Sequence, residues 1–360
     1  MTKRGPLDAR LNIQHLHEYD APESAARLAR RLGIPVEQVV KLDANENPYG
    51  PTPRLAAALA AVRYEEYIDP LQEELRDVLA PYVGVSADSL MLGNGSDELI
   101  DLLMLAYLDP EDELLTFAPT FGMYAFGADK FAAWPVEVER DERFDIPLEA
   151  ALEAVGPRTR MIIVTAPNNP TGNQVSEDVV QELLETGRLL VLDEAYAEFA
   201  GRSLASWVER YDNLVVLRTF SKWAALAGIR IGYGVLPPAV ARTLWKLKGP
   251  FNVNVAAEAA VKVTLEDRDY LLANVQKLVQ ERERLTLALA EVPYLRPYPS
   301  AANFVLSDVV GRDAAEVKQL LADRGILVRY YRTPRLSNCI RVTVGLPEQS
   351  DRLLNALASV

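Results

Sequence analysis

The sequence contains almost no cysteine or histidine, and this scarcity excludes several kinds of site. Cys339 is the single cysteine, so neither an intramolecular disulfide nor a multi-cysteine zinc site can form. The two histidines, His15 and His17, both lie near the N-terminus. They argue against a Ser-His-Asp triad or a histidine metal cage in the centre of the chain, and we expect no metal site. Any enzymatic proton transfer must therefore use lysine, tyrosine, a carboxylate or a cofactor.

Positive charge and long apolar segments are also scarce. The chain of 360 residues carries a formal net charge of −13, which argues against a nucleic-acid surface because phosphates require a basic field. The most apolar runs, such as residues 102–108, are far too short to span a bilayer. Residues 1–10 are charged and carry no apolar segment typical of a signal peptide. We expect a soluble cytoplasmic protein that binds neither nucleic acid nor membranes.

The sequence does contain a regular alternation of strand-like and helical segments. Apolar residues at helical spacing mark 71–83, 98–108 and 176–186, and short β-rich runs lie at 113–117, 161–165, 189–192, 214–217 and 231–235. The β-rich runs are almost continuously apolar, as strands buried on both faces are. This order predicts an α/β fold whose mainly parallel sheet is covered by helices on both faces.

The pattern changes after residue 250. A long helical stretch at 265–292 precedes strands near 303–306, 326–330 and 340–344, with helices near 314–324 and at the end of the chain. This predicts a smaller α+β domain. We assign residues 1–45 to an N-terminal arm and part of the small domain, 46–260 to a large ligand-binding domain, and 261–360 to the small domain.

Polar and glycine-rich segments follow the predicted strands, where open α/β sheets bind their ligands. Residues 93–98 (GNGSDE) open a helix whose free N–H groups could hold a phosphate, although the same pattern also fits a plain helix cap. Residues 168–172 (NNPTG) end the run at 161–165 and could equally form a simple turn.

An acid and a lysine follow the next two runs. Asp193 ends the run at 189–192, and such a carboxylate can pair with a cationic ring nitrogen or serve the fold alone. Lys222 lies between Phe220 and Trp223, eight residues before Arg230. Burial would lower its pKa and make it a nucleophile suited to a Schiff base. The alternative is a surface lysine that extends past Trp223.

Together these segments resemble the pyridoxal-phosphate enzymes of the aspartate aminotransferase fold (fold type I), and more narrowly the histidinol-phosphate aminotransferases. The likeness covers essentially the whole chain. Its motifs are residues 42–50 (LDANENPYG), 93–98, 119–124 (PTFGMY), 167–172 (PNNPTG), 193–199 (DEAYAEF) and 341–345 (RVTVG). It implies pyridoxal 5′-phosphate as the cofactor and a homodimer with shared active sites.

The resemblance implies a role for each matching residue. Lys222 would bind the cofactor covalently and move a proton, while Asp193 would keep the pyridine nitrogen protonated. Tyr196 and Asn169 would hydrogen-bond the 3′-oxygen, and Phe121 would stack on the ring. The phosphate would be held by Ser96, Asp97, Thr219, Ser221 and Arg230, with Tyr67 reaching it from the other subunit. The substrate would be bound by Arg341, Arg329, Asn303 and Tyr19.

The implied activity is transfer of an amino group between histidinol phosphate and 2-oxoglutarate in histidine biosynthesis. An aromatic-amino-acid aminotransferase is a close alternative, because an arginine can hold either a phosphate or a carboxylate. A pyridoxal-phosphate decarboxylase of a phosphorylated amino acid is another alternative. Its relatives tend to lack a glutamate at the position of Glu46, so this residue favours transamination.

Overall fold

The computed structural model describes residues 7–16 and 23–359 and contains two β-sheets. The strands are β1 (Val40–Leu42), β2 (Leu90–Gly93), β3 (Glu113–Ala118), β4 (Trp134–Glu139), β5 (Thr159–Thr165), β6 (Leu189–Asp193), β7 (Leu214–Thr219), β8 (Gly232–Val235), β9 (Leu295–Pro297), β10 (Phe304–Val309), β11 (Ile326–Tyr330) and β12 (Cys339–Thr343). The helices are α1 (Leu11–Gln14), α2 (Ala25–Leu32), α3 (Leu55–Ala60), α4 (Glu73–Val83), α5 (Ser96–Tyr107), α6 (Met123–Phe131), α7 (Leu148–Glu153), α8 (Glu177–Glu185), α9 (Ala197–Ala200), α10 (Pro238–Leu247), α11 (Val255–Glu266), α12 (Arg268–Ala290), α13 (Ala314–Asp323) and α14 (Pro347–Ala358). Within the described ranges, no helix is long and apolar enough to cross a membrane.

The larger sheet has the strand order β2-β8-β7-β6-β5-β3-β4. Strands β3 to β7 run parallel, and β8 is antiparallel to both of its neighbours, β2 and β7. The α/β fold with a mainly parallel sheet is therefore confirmed. The reversal of β8 has a local reason. Residues 220–231, which connect it to β7, contain only the one-turn helix Ala227–Ile229, whereas a parallel connection usually requires a crossover helix.

Apolar side chains cover both faces of this sheet. Alternate residues of β6 enter two different clusters, because successive side chains of a strand point to opposite faces. Leu190 and Leu192 pack in the first cluster, and Leu189 and Val191 pack in the second. Helices α5, α6 and α10 cover the face of the second cluster. The centre of the sheet is therefore dry on both sides, which fixes the ends of its strands firmly.

The smaller sheet has the strand order β1-β11-β12-β10-β9. Strand β1 lies parallel to β11, and the other neighbours are antiparallel. Its first strand thus comes from the N-terminal part of the chain. The predicted stretch at 265–292 corresponds mainly to α12, which Asp267 separates from α11. The expected boundary between residues 260 and 261 falls within α11, and the division into domains stays a prediction.

Candidate functional site

The polar segments lie together at the end of the larger sheet where its parallel strands have their carboxyl ends, called the site edge of the sheet. Parallel strands end at the same edge, so the residues after β3, β5, β6 and β7 meet there. Strand β2 joins them because both it and β7 are antiparallel to β8. The reversed β8 begins at this edge and so brings Arg230, which precedes it, to the same place.

Asp193 is the last residue of β6 and is buried at this edge. Its Oδ2 accepts a hydrogen bond of 2.7 Å from the Tyr124 hydroxyl, and its Oδ1 accepts one of 3.0 Å from the backbone N–H of Ala195. Burial raises the pKa of Asp193 to about 6, although both hydrogen bonds act in the opposite direction. A fixed, buried carboxylate of this kind is suited to bind a cationic N–H group.

Tyr124 is a site residue that sequence reasoning missed. It is fully buried, and its single proton is donated to Asp193, so the Thr165 hydroxyl at 2.8 Å donates to the Tyr124 oxygen. The sequence did point to Tyr124, because it ends the 119–124 motif. It also lies three residues after Phe121, which was assigned to the site. The two rings meet edge to face, with centroids 5.5 Å apart.

Lys222 follows β7 in a turn and is half-buried. Its Nζ donates to the carbonyl oxygen of Ala44 at 3.2 Å and lies 6.0 Å from the centre of the Tyr196 ring. Burial lowers the pKa of Lys222 to about 8, and the neighbouring Arg341 acts in the same direction. Half of the Lys222 side chains are therefore neutral, and so nucleophilic, near pH 8.

A set of N–H and hydroxyl groups beside Lys222 is suited to an anion. Helix α5 begins at Ser96, and its first N–H groups have no partner within the helix. A Cβ at Gly232 would lie 2.5 Å from the Ser96 nitrogen, so only glycine lets β8 pass this close. The Thr219 hydroxyl donates to the Ser221 Oγ at 3.0 Å, and both side chains are buried nearby in the β7 turn.

Arg230 and Asp97 form an ion pair at the same cradle. Nη2 of Arg230 donates to Oδ2 of Asp97 at 2.9 Å, and both side chains are partly exposed. Asp97 stays one of the residues predicted to hold the phosphate. A carboxylate repels a phosphate, so Asp97 can contribute its backbone N–H and orient Arg230, whose guanidinium supplies the positive charge.

The smaller sheet contributes Arg341, a residue of β12 that lies close to Lys222. Its Nη1 donates to Oδ1 of Asn169 at 2.5 Å, and its Nη2 donates to the carbonyl oxygen of Asp43 at 2.6 Å. Among the described residues, the buried Nε of Arg341 and Oδ1 of Asn303 have no hydrogen-bond partner. Such unpaired buried groups are costly unless a ligand satisfies them.

Two of the predicted site residues, Arg329 and Tyr67, stand apart from these contacts. Arg329 lies opposite Arg341 across β11 and β12 and packs its guanidinium 5.6 Å from the Tyr331 ring centre. Tyr67 is 80% exposed and stacks on Phe251, with ring centroids 4.3 Å apart. Tyr19 lies outside the described residues.

Comparison with known proteins gives this arrangement a family. The family model described as "Aminotransferase class I and II" matches residues 37–357. The chain belongs to the class I and II aminotransferases. It is 49% identical to the histidinol-phosphate aminotransferase of Roseiflexus castenholzii over 98% of this chain and 97% of that protein. It is also 45% identical to the chloroplastic histidinol-phosphate aminotransferase 1 of Arabidopsis thaliana, over 92% of this chain and 80% of that protein.

A solved aminotransferase has the same overall structure. The crystal structure of histidinol-phosphate aminotransferase from Sinorhizobium meliloti in complex with pyridoxal-5′-phosphate aligns with a TM-score of 0.87. The two chains are 29% identical, and the alignment covers 97% of this chain and 96% of that one. The resemblance to this family, drawn above from six motifs, is therefore confirmed.

The residues at the sheet edge fit the aminotransferase cofactor. A pyridoxal phosphate needs a carboxylate for its ring nitrogen, an amine for its aldehyde and a set of donors for its phosphate. Asp193 and Lys222 could supply the first two, and the glycine-lined start of α5 with Arg230 could supply the third. Among the described residues, no group of three or more His, Cys, Asp or Glu side chains could hold a metal ion.

Proposed function

We propose that this chain is a pyridoxal-phosphate-dependent aminotransferase that converts histidinol phosphate and 2-oxoglutarate to imidazole acetol phosphate and glutamate, in histidine biosynthesis. The observation that carries this proposal is the placement of Asp193 at the end of β6 and of Lys222 just after the neighbouring parallel strand β7, with Arg341 of the smaller sheet close to Lys222. The relatives at 45% and 49% identity support histidinol phosphate as the amino donor.

Each residue has a definite task in this reaction. Bound pyridoxal phosphate supplies an electron sink for the negative charge that develops when the substrate Cα–H bond breaks. Asp193 holds the ring N–H, and Tyr124 keeps the carboxylate oriented. The neutral Nζ of Lys222 accepts the Cα proton and later returns it. Oδ1 of Asn169 is occupied by Arg341, so the Asn169 Nδ2 is left to donate to the 3′-oxygen.

The substrate would be bound by Arg341, Asn303 and Arg329. The unpaired, buried Nε of Arg341 supplies a donor for its anionic end, and the unpaired Oδ1 of Asn303 supplies an acceptor for an N–H or O–H group of the substrate. Phosphate groups pair well with guanidinium, which presents several N–H groups in one plane. Tyr19 remains a proposed cover for the substrate.

The test of this function is a comparison of amino donors. With 2-oxoglutarate as acceptor, kcat/KM should be higher for histidinol phosphate than for phenylalanine. A higher value for phenylalanine would instead assign the chain to aromatic-amino-acid transamination. Release of carbon dioxide from a phosphorylated amino acid, without transamination, would assign it to the decarboxylases.

Arg341→Ala should weaken substrate binding more than cofactor binding. Losing a charge-assisted pair to a buried anion costs about 1.5–3 kcal/mol, which is roughly ten- to a hundredfold in KM for the amino donor. Arg352→Ala is a matched control, because Arg352 is an exposed arginine that donates to the carbonyl oxygen of Gln38. Equal losses in cofactor and substrate affinity would show that Arg341 serves the fold instead.

The active unit is proposed to be a homodimer with shared sites. Tyr67, Leu71, Leu247 and Phe251 are large apolar residues with exposed fractions of 80%, 53%, 40% and 43%. The Tyr67–Phe251 stack holds their two chain segments together, as does the 3.1 Å hydrogen bond from Gln72 to Asn252. Asn252 also donates to Glu98 in the first turn of α5. A second copy bound to this patch would therefore lie beside the phosphate cradle.

Subunit mixing tests whether Tyr67 reaches the partner's cofactor. If a Lys222→Ala subunit pairs with a Tyr67→Phe subunit, one site collects both lesions and the other collects none. About half of the randomly mixed dimers are heterodimers, so activity should rise toward about a quarter of wild type. Differently tagged subunits report the exchange. If tagged heterodimers form while activity stays at the level of the unmixed variants, Tyr67 acts within its own chain.

A further inference from the structure

Asn45 connects the smaller sheet to the cofactor-binding edge of the larger one. It is buried, with 2% of its surface exposed, and its φ of 55° lies in the left-handed region that asparagine tolerates better than most residues. Its backbone N–H donates to the Thr343 Oγ1 at 2.9 Å, and its carbonyl oxygen accepts from the Asn303 Nδ2 at 3.0 Å. The backbone of Asn45 is thus held by β12 and by the residue before β10.

The side-chain amide of Asn45 also has both of its ends bonded. Its Oδ1 accepts from the Thr343 hydroxyl at 3.1 Å, and its Nδ2 donates to the Tyr196 hydroxyl oxygen at 2.9 Å. Thr343 is buried, so turning the amide over would leave its hydroxyl proton without this acceptor. Thr343 therefore selects the orientation in which the NH₂ group faces Tyr196.

The direction of this bond decides what Tyr196 can do. A tyrosine hydroxyl has one proton, and an amide NH₂ group can only donate. Tyr196 must therefore accept from Asn45 and keeps its own proton for a different acceptor. Burial raises the pKa of Tyr196 to about 12, so the hydroxyl stays protonated at neutral pH.

We propose that Asn45 is a positioning residue that keeps the Tyr196 hydroxyl in the donor role toward the 3′-oxygen of the cofactor. The inference rests on the proposed function for the presence of pyridoxal phosphate. Asn45 acts through Tyr196, and Thr343 acts through Asn45. The smaller sheet thereby controls the polarity of a hydrogen bond at the cofactor.

Asn45→Asp is the most specific test, because it reverses the direction of only the hydrogen bond between residue 45 and Tyr196. Aspartate has nearly the same size, tolerates the left-handed backbone and can still accept from Thr343. Its carboxylate would take the Tyr196 proton, so the 3′-oxygen loses its donor. A donor stabilises the deprotonated 3′-oxygen, so its loss raises the pH at which the bound cofactor loses its proton.

The readout is the pH midpoint of the absorbance change of the purified holoenzyme. Asn45→Asp should raise this midpoint by about one pH unit, and Tyr196→Phe should raise it similarly. In the Tyr196→Phe background, adding Asn45→Asp should change the midpoint little. The other charged or titratable groups that face Tyr196 are Lys222, Arg341, Asp193 and Tyr331, and they are the same in all these variants.

Two further variants distinguish the positioning role of Asn45 from the effect of an added negative charge and from a failure of Asn45→Asp to fold. Asn47→Asp adds the same charge two residues away, at a buried amide that donates to Trp223, and it should leave the midpoint near wild type. Thr343→Val removes the hydroxyl that orients the Asn45 amide and should raise the midpoint by a smaller amount. The Thr343→Val variant tests the inference even if the Asn45→Asp protein does not fold.

Two results would overturn the inference. One is a wild-type midpoint in both Asn45→Asp and Thr343→Val. The other is a full shift from Asn45→Asp in the Tyr196→Phe background, which would mean that the added charge acts directly. Because the spectrum needs no substrate, these outcomes leave the choice of amino donor untouched. A wild-type chain that binds no pyridoxal phosphate would instead overturn the proposed function itself, together with this inference.

Discussion

Lys222→Ala should abolish measurable transamination while the protein stays folded. The variant removes the amine that captures the cofactor aldehyde and the base that moves the Cα proton, for which burial has lowered the pKa to about 8. Borohydride reduction of the wild-type holoenzyme, followed by peptide mapping, should place the cofactor on Lys222. Circular dichroism and thermal unfolding of the variant would check the fold.

Lys262→Ala provides the matched control. Lys262 is partly buried and pairs with Glu74 and Glu258, and the hydrogen bonds to these glutamates outweigh burial and raise its pKa. A protonated, paired amine is a poor nucleophile, so this variant should keep its activity and its cofactor. Cofactor found on any lysine other than Lys222 after reduction would remove the role assigned here.

Asp193→Asn should lower the single-turnover rate by about 10²–10⁴ while the cofactor stays bound. An amide cannot stabilise a protonated ring nitrogen, and breaking a buried ion pair costs about 3–5 kcal/mol. Glu194→Gln is the control, because the neighbouring Glu194 accepts from the Leu204 N–H and from Ser203 rather than from Tyr124. Near-normal rates in Asp193→Asn would contradict the role proposed for this carboxylate.

The same substitution should stabilise the cofactor-free protein above pH 6. The pKa of Asp193 is raised by burial from 3.8 to about 6, so ionisation opposes folding. Wild-type apoprotein should lose up to about 3 kcal/mol of unfolding free energy as the pH rises from about 4 to about 6. Asparagine removes this loss. Urea unfolding at pH 4 and at pH 7.5 measures it, and equal pH dependence in both proteins would contradict the expectation.

The buried strands were predictable because their signal is local. Residues 189–192 and 214–217 are continuous apolar runs, and both lie in fully buried strands. Strand β4 was missed because it is an edge strand of the sheet, and two of its exposed positions carry glutamate. The antiparallel direction of β8 depends on the connection between β7 and β8, and the apolar sequence of the strand itself does not indicate its direction.

The contacts that orient the site residues could not be read from the sequence. Asp193 and Glu194 are adjacent acids, and only their hydrogen-bond partners, Tyr124 and Leu204, show which one faces the site. Asn45 and Tyr196 are 151 positions apart, so their bond exists only once both sheets have packed. The resemblance of the motifs shows which residues belong to the site. Whether Asn45, Asn169 and Asp97 donate or accept hydrogen bonds there depends on how the chain packs.

The site residues of the larger sheet lie at its site edge, where its parallel strands have their carboxyl ends. Among the described residues, no site residue lies at the amino ends of these strands, so their turns can vary in length. The turns that enter β5, β6 and β7 lie there, and Gly187, in the turn before β6, has open space around the position of a Cβ. Surface turns of this kind accommodate added residues at small entropic cost. Length variation during evolution can therefore accumulate at the amino ends of these strands, while the carboxyl ends keep their spacing and their chemistry.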